Sequence, residues 1–138
     1  MHMKVILQMK HKDFSATITN LFDDVIVIDE DLAMETVSES FIGKELLFLD
    51  QIPLDGFSNV NAKVVVVATD YNQDEEFLAA RAGARGFITG DISGPQLLKV
   101  IGSIAAGEYW MSRVTIARVF EEYTRECYQA EKAMEHLS

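Results

Sequence analysis

Cysteine is nearly absent: the 138 residues contain one, Cys127, which excludes an internal disulfide and any zinc site built on cysteines. No apolar run approaches the roughly 20 residues that a membrane helix requires, so no membrane partner is expected. The secretory pattern of basic start, apolar centre and small-residue cleavage site is missing too, and a cytoplasmic location is the default expectation. Basic residues are scarce: 12 Lys and Arg stand against 22 Asp and Glu, for a net charge of −10. That balance opposes direct binding to duplex DNA, which depends on neutralising phosphates. Contact with DNA would have to come from a further domain beyond residue 138. The three histidines, His2, His11 and His136, lie far apart along the chain. No nucleophile–base pair stands out and no glycine-rich phosphate loop follows the first strand, so nothing supports an enzyme. No stretch reads as a linker, an internal repeat or low complexity.

What is present reads as one globular domain with a normal core. Hydrophobic residues make up 49% and charged residues 25%, which sets the chain apart from disordered polymers. Strands are expected at residues 4–8 (KVILQ), 25–28 (VIVI), 45–49 (ELLFL), 64–67 (VVVV) and 86–89 (GFIT), from their β-branched and apolar content. Four consecutive valines suit a strand covered on both faces. Helical spacing appears at 14–22, with Asp13 as a cap, at 32–41, at 75–82 before Gly83, and at 93–106 before Gly107. Pro95 falls in the first turn of the last of these, where it is tolerated. Asp29-Glu30-Asp31 and Asp74-Glu75-Glu76 read as helix N-terminal acids favoured by the dipole. Strands alternating with helices imply an α/β fold, a doubly wound five-stranded parallel sheet with any site at the strands' carboxyl ends. Only about a dozen residues (51–62, with Pro53 and Gly56) join the third and fourth strands, close to the minimum for a parallel crossover. The third helix is therefore expected to be abbreviated to a turn or absent.

From residue 112 the chain reads as helical almost to its end. Phe120, Tyr123, Cys127, Ala130, Met134 and Leu137 alternate steps of three and four, an a/d seam that wants a partner. A second copy of the chain, giving a homodimer, and packing against the chain's own domain both satisfy it. The expected division is a body at 1–109 and a helical extension at 110–138.

The stretch 63–113, KVVVVATDYNQDEEFLAARAGARGFITGDISGPQLLKVIGSIAAGEYWMSR, resembles the second half of a CheY/flavodoxin-like bacterial receiver domain of the LuxR/FixJ type. The resemblance implies a phosphorylation site with two magnesium-binding acids after the first strand, an acceptor aspartate after the third, a hydroxyl after the fourth and a lysine after the fifth. This chain has Gln8-Met9 in place of the acids, Ala68 at the hydroxyl position and Gly90 at the lysine position. Thr69, one residue along, is expected to point to the other side. Asp50 stands at the acceptor position, although Pro53 follows it one residue sooner than in the family. A lone aspartate without metal or lysine is a poor acceptor, so neither magnesium binding nor phosphotransfer is expected. Asp50 otherwise reads as a strand-end carboxylate capping a turn.

Gly107–Trp110 (GEYW) is shared widely among LuxR/FixJ receivers. The longer Trp110-Met111-Ser112-Arg113 resembles the W-[FLM]-[TS]-R motif of the VpsT/CsgD-like group. That resemblance implies cyclic di-GMP as ligand, bridging two protomers, with Trp110, Ser112 and Arg113 as binding residues. Arg113 would meet guanine O6 and N7 or stack on the base, Ser112 would donate to phosphate, and Arg118 and Lys99 would extend a basic rim. Trp110 is expected to set the helix angle from beneath. The plainer account has Trp110 as a core anchor, Ser112 as an N-cap lacking the acid of a capping box, and Arg113 as a solvated first-turn residue. The expectation is a phosphorylation-independent signal-input and dimerisation domain of a transcription regulator. Cyclic di-GMP binding, ligand-independent pairing and a phosphoreceiver using Asp50 remain the alternatives.

Overall fold

The computed structural model describes residues 5–8, 12–22, 25–27, 45–53, 56–57 and 60–135. Five strands run parallel in one sheet: β1 (Val5–Gln8), β2 (Val25–Val27), β3 (Leu46–Leu49), β4 (Lys63–Ala68) and β5 (Gly86–Thr89), in the order β2-β1-β3-β4-β5. Among the described residues, four helices accompany them: α1 (Lys12–Leu21), α2 (Gln73–Ala82), α3 (Gly94–Ala105) and α4 (Arg113–Glu135). Among the described residues, no helix is long and apolar enough to cross a membrane.

Strand alternation explains the unbroken apolar runs. Leu46, Phe48, Val65 and Val67 face α1 and α3, joining Phe14, Ile18, Leu97, Ile101 and Ile104 in one core. Leu47, Leu49, Val64 and Val66 face the opposite side and pack with Phe57, Ala79, Ala84 and Phe87. A strand covered on both faces has no position left for a polar side chain. Each such apolar side chain contributes roughly 1.5–3 kcal/mol relative to exposure.

Local signals place the helix ends. Asn72 caps α2 by accepting from the Glu75 N–H at 3.0 Å, so the helix starts at Gln73, two residues before the expected position. Gly83, at φ 106°, closes α2: the Gly83 N–H donates to Ala80 O and the Ala84 N–H to Ala79 O. Ser93 caps α3, and Lys63 Nζ donates to Ile104 O and Ala105 O, both at 3.3 Å, at its carboxyl end. Asp13 lies inside α1, which begins at Lys12, and so is not its N-cap. The helix expected at 32–41 lies outside the described residues.

In the short β3–β4 crossover, Gly56 sits in a turn at φ 70°, with its N–H on Pro53 O at 3.0 Å. The Phe57 N–H then donates to Ala82 O at 2.8 Å, fastening the turn to the end of α2.

After α3 the chain returns to the sheet. The Trp110 N–H donates to Arg85 O at 2.9 Å, and the Phe87 N–H donates to Trp110 O at 3.1 Å. This is a one-residue parallel bridge beside β5. Trp110 packs on the α1/α3 core and Met111 on the opposite one, so the boundary expected after residue 109 falls just before this pairing. The 23 residues of α4 then rise about 34 Å. Its opening turns lie on α2, and every residue from Tyr123 to Glu135 is exposed.

Candidate functional site

Asp50, Thr69, Asp70, Tyr71, Asn72 and Glu75 gather at the carboxyl ends of β3 and β4, around a cleft of about 540 Å³. Among the described residues, no lysine or arginine lines it. Ala68 and Gly90 are adjacent, the Gly90 N–H donating to Ala68 O at 2.9 Å, so neither supplies a hydroxyl or a cation. Thr69, the residue after β4, also borders the cleft with Asp50. Among the described residues, no group of three His, Cys, Asp or Glu side chains is placed to hold a metal ion. Among the described residues, the lining lacks the fixed cation that the anionic charge of a magnesium–phosphoryl centre needs.

The most concentrated polar constellation lies elsewhere, where α4 begins. Glu76 on α2 is only 3% exposed. Its Oε1 accepts the Ser112 hydroxyl at 2.6 Å, the Tyr71 hydroxyl at 3.0 Å and the Thr115 hydroxyl. Its Oε2 accepts the Ser112 N–H at 3.1 Å. Burial pushes the Glu76 carboxyl up, but the bonds from Ser112, Thr115 and Tyr71 outweigh it and hold the group below its ordinary range. Ser112 Oγ in turn accepts the Thr115 N–H at 3.3 Å, as an N-cap does. The acid missing from position 115 for a capping box is supplied by a different helix: Glu76 takes the cap residue's own N–H. Glu76, expected as an ordinary first-turn acid, is therefore the buried centre of the α2–α4 joint. Local spacing could not reveal this, because its partners lie 36 and 39 positions away.

The outer part of the joint is charged. The Arg118 guanidinium lies 3.9 Å from the centre of the Phe77 ring and pairs with Asp74 at 3.2 Å. It faces α2 and does not form a rim with Arg113. Arg81 pairs with Glu122 at 3.3 Å. Exposed pairs of this kind contribute about 0–1 kcal/mol each.

Of the ligand-motif residues, Trp110, Met111 and Ser112 line a second cleft of about 650 Å³ with Tyr71, Phe87, Thr89 and Asp91. Arg113 is exposed and lies outside that lining, and Lys99 does too, on the exposed face of α3. Ser112's hydroxyl is directed to Glu76. Tyr71 lines both clefts and bonds to Glu76, so it stands between the strand ends and the start of α4.

On α4 itself, Phe120, Tyr123 and Met134 are 69%, 64% and 71% exposed, and Cys127 and Ala130 are exposed beside them. Ile116 extends the same stripe by one turn. Leu137 lies outside the described residues. The docked face, around Thr115, Arg118 and Glu122, is roughly a third of a turn away at about 100° per residue.

No protein-family model matches the chain, and no curated protein does either. Solved structures do match. A LuxR-family two-component response regulator from Aurantimonas sp. SI85-9A1 aligns with a TM-score of 0.57 at 17% identity, covering 88% of this chain and 97% of that one. The fold is that of a receiver domain. The signal receiver domain of the response regulator NarL from Mycobacterium tuberculosis gives 0.57 at 16% identity, over 77% of this chain and 98% of that one. RcsB from Salmonella typhimurium gives 0.52 at 12%, over 88% of this chain and 68% of that one. At these identities the likeness shows the fold alone: a structural similarity to the receiver domains of LuxR- and NarL-family response regulators.

Proposed function

We propose that this chain is a signal-input module of receiver fold that acts by pairing with a second copy, without phosphotransfer. In this reading it belongs to a transcription regulator, and DNA is reached only through another domain. The observation that carries it is the outer stripe of α4: Phe120, Tyr123 and Met134 are each about two-thirds exposed at heptad spacing, on a helix whose other face is already docked. The donor set around Asp50 supports the second half of the reading, since neither Ala68 nor Gly90 offers a group to a phosphoryl oxygen. Sedimentation equilibrium tests it. The native chain is expected to dimerise and Tyr123→Asp to sediment as a monomer. A native chain that stays monomeric at high concentration ends this reading.

Cyclic di-GMP binding is a second reading, favoured by the four-residue match and by Arg113, exposed in the first turn of α4 where the helix dipole attracts anions. With Ser112 bonded to Glu76 and Trp110 half-buried, the ligand would rest mainly on Arg113. Calorimetric titration with cyclic di-GMP should give heat with the native chain and none with Arg113→Ala. No heat from the native chain removes the ligand.

A further inference from the structure

The stripe on α4 carries more than the presence of a partner: the residues beside it specify the partner's direction. Counted as heptads, Phe120, Cys127 and Met134 occupy a positions, and Ile116, Tyr123 and Ala130 occupy d positions. The flanking g positions are Val119, Glu126 and Ala133, and the flanking e positions are Ala117, Thr124 and Glu131. The basic residues Arg118, Arg125 and Lys132 all fall at f, away from the stripe, and Arg118 is committed to Phe77 and Asp74. No cation therefore stands beside the stripe to neutralise Glu126 or Glu131.

In a parallel, in-register pair each g residue meets the e residue five positions on in the other helix. That places Glu126 against the partner's Glu131, twice, with no compensating lysine or arginine. It also stacks like on like, Phe120 on the partner's Phe120 and Ala130 on the partner's Ala130, leaving bulky and thin layers in turn. An antiparallel pair removes both defects. With Tyr123 on the partner's Met134 and Cys127 on the partner's Ala130, Glu126 faces the partner's Ala133 and Glu131 faces the partner's Thr124. Large side chains meet long ones, small meet small, and the helix dipoles oppose. The paired stretch is also the one that is exposed from Tyr123 onward, so Ser112, Thr115 and Arg118 stay on α2.

Resting on the reading that a second copy covers α4, we infer that the two copies of α4 pair antiparallel, Tyr123 on the partner's Met134 and Cys127 on the partner's Ala130.

The experiment uses full-length chains in which Cys127→Ala is combined with either Tyr123→Cys or Met134→Cys, oxidised with copper phenanthroline. All three positions are exposed, so the fold does not depend on them. Each chain alone is expected to give no covalent dimer, because its own cysteines lie about 16 Å apart across the pair. The equimolar mixture of the two is expected to give a covalent heterodimer. Covalent homodimers from each chain alone, with no heterodimer in the mixture, overturn the direction and leave pairing intact. Glu126→Lys gives an independent reading. It should leave the dimer's Kd within about twofold when the residue faces alanine, and tighten it when the residue faces a glutamate. A native chain that sediments as a monomer removes the pairing and this inference together.

Discussion

Ser112 on α4 donates its hydroxyl to Glu76 on α2 at 2.6 Å, across 36 positions of sequence. A single buried carboxylate thereby holds the first turn of the longest helix, with Tyr71 and Thr115 as further donors. The joint is polar at its centre, and Thr115 is the only residue of α4 that is fully buried among those described.

Replacing Glu76 by alanine strands three hydroxyls and an amide that all point to one place. The expected loss of stability is about 2 kcal/mol, of the order found when buried donors lose their acceptor. Chemical denaturation measures it. Amide exchange should show protection falling at 113–118 while β4 and β5 keep theirs. Uniform loss across the sheet would mean that Glu76 acts on the whole core and not on the joint.

The same group sets a pH dependence. Its folded carboxyl is held below the ordinary value of 4.5, so ionised Glu76 contributes stability that is fully present above that value. The contribution is lost as pH falls below 4.5 through the folded-state value. Native chain and Glu76→Gln should therefore differ most near neutrality and converge in acid. Unfolding midpoints measured from pH 7 down to 3 check the sign, and a difference that widens on acidification would contradict it.

Acetyl phosphate with magnesium should leave the protein's mass unchanged. Among the described residues, the cleft at Asp50 has no lysine or arginine to supply the fixed cation that the chemistry needs. An added phosphoryl mass mapped to Asp50 by peptide analysis would reverse that expectation.

Gly86 marks where the returning chain meets the sheet. A Cβ there would lie 2.9 Å from Ile104 Cδ1 and 3.6 Å from Trp110 Cβ. Gly86→Ala should cost about 1–2 kcal/mol, limited by the freedom of the isoleucine tip to shift. A thermal melt reads this directly. No change would mean that the α3–β5 contact is looser than its spacing indicates.

Much of the fold was legible because its signals are local. Residues 86–89 form the strand that GFIT implies, Gly83 ends α2, and the valine run becomes the twice-covered β4. Boundaries moved where a polar side chain acted outside the apolar pattern, as when Asn72 started α2 early. The site was less legible. The motif resemblance put Arg118 on a rim and spacing put Glu76 in a helix-dipole role, since neither Phe77 under the guanidinium nor Ser112 at the carboxylate is close in sequence. A long-range acceptor leaves no periodic trace.

Trp110 is the chain's single tryptophan, and it sits between the edge of β5 and the residues that meet Glu76. Its indole is half-buried in that seam, against the α1/α3 core. Emission from this one fluorophore therefore serves as a built-in gauge of whether the long helix is seated, readable by wavelength without any attached dye.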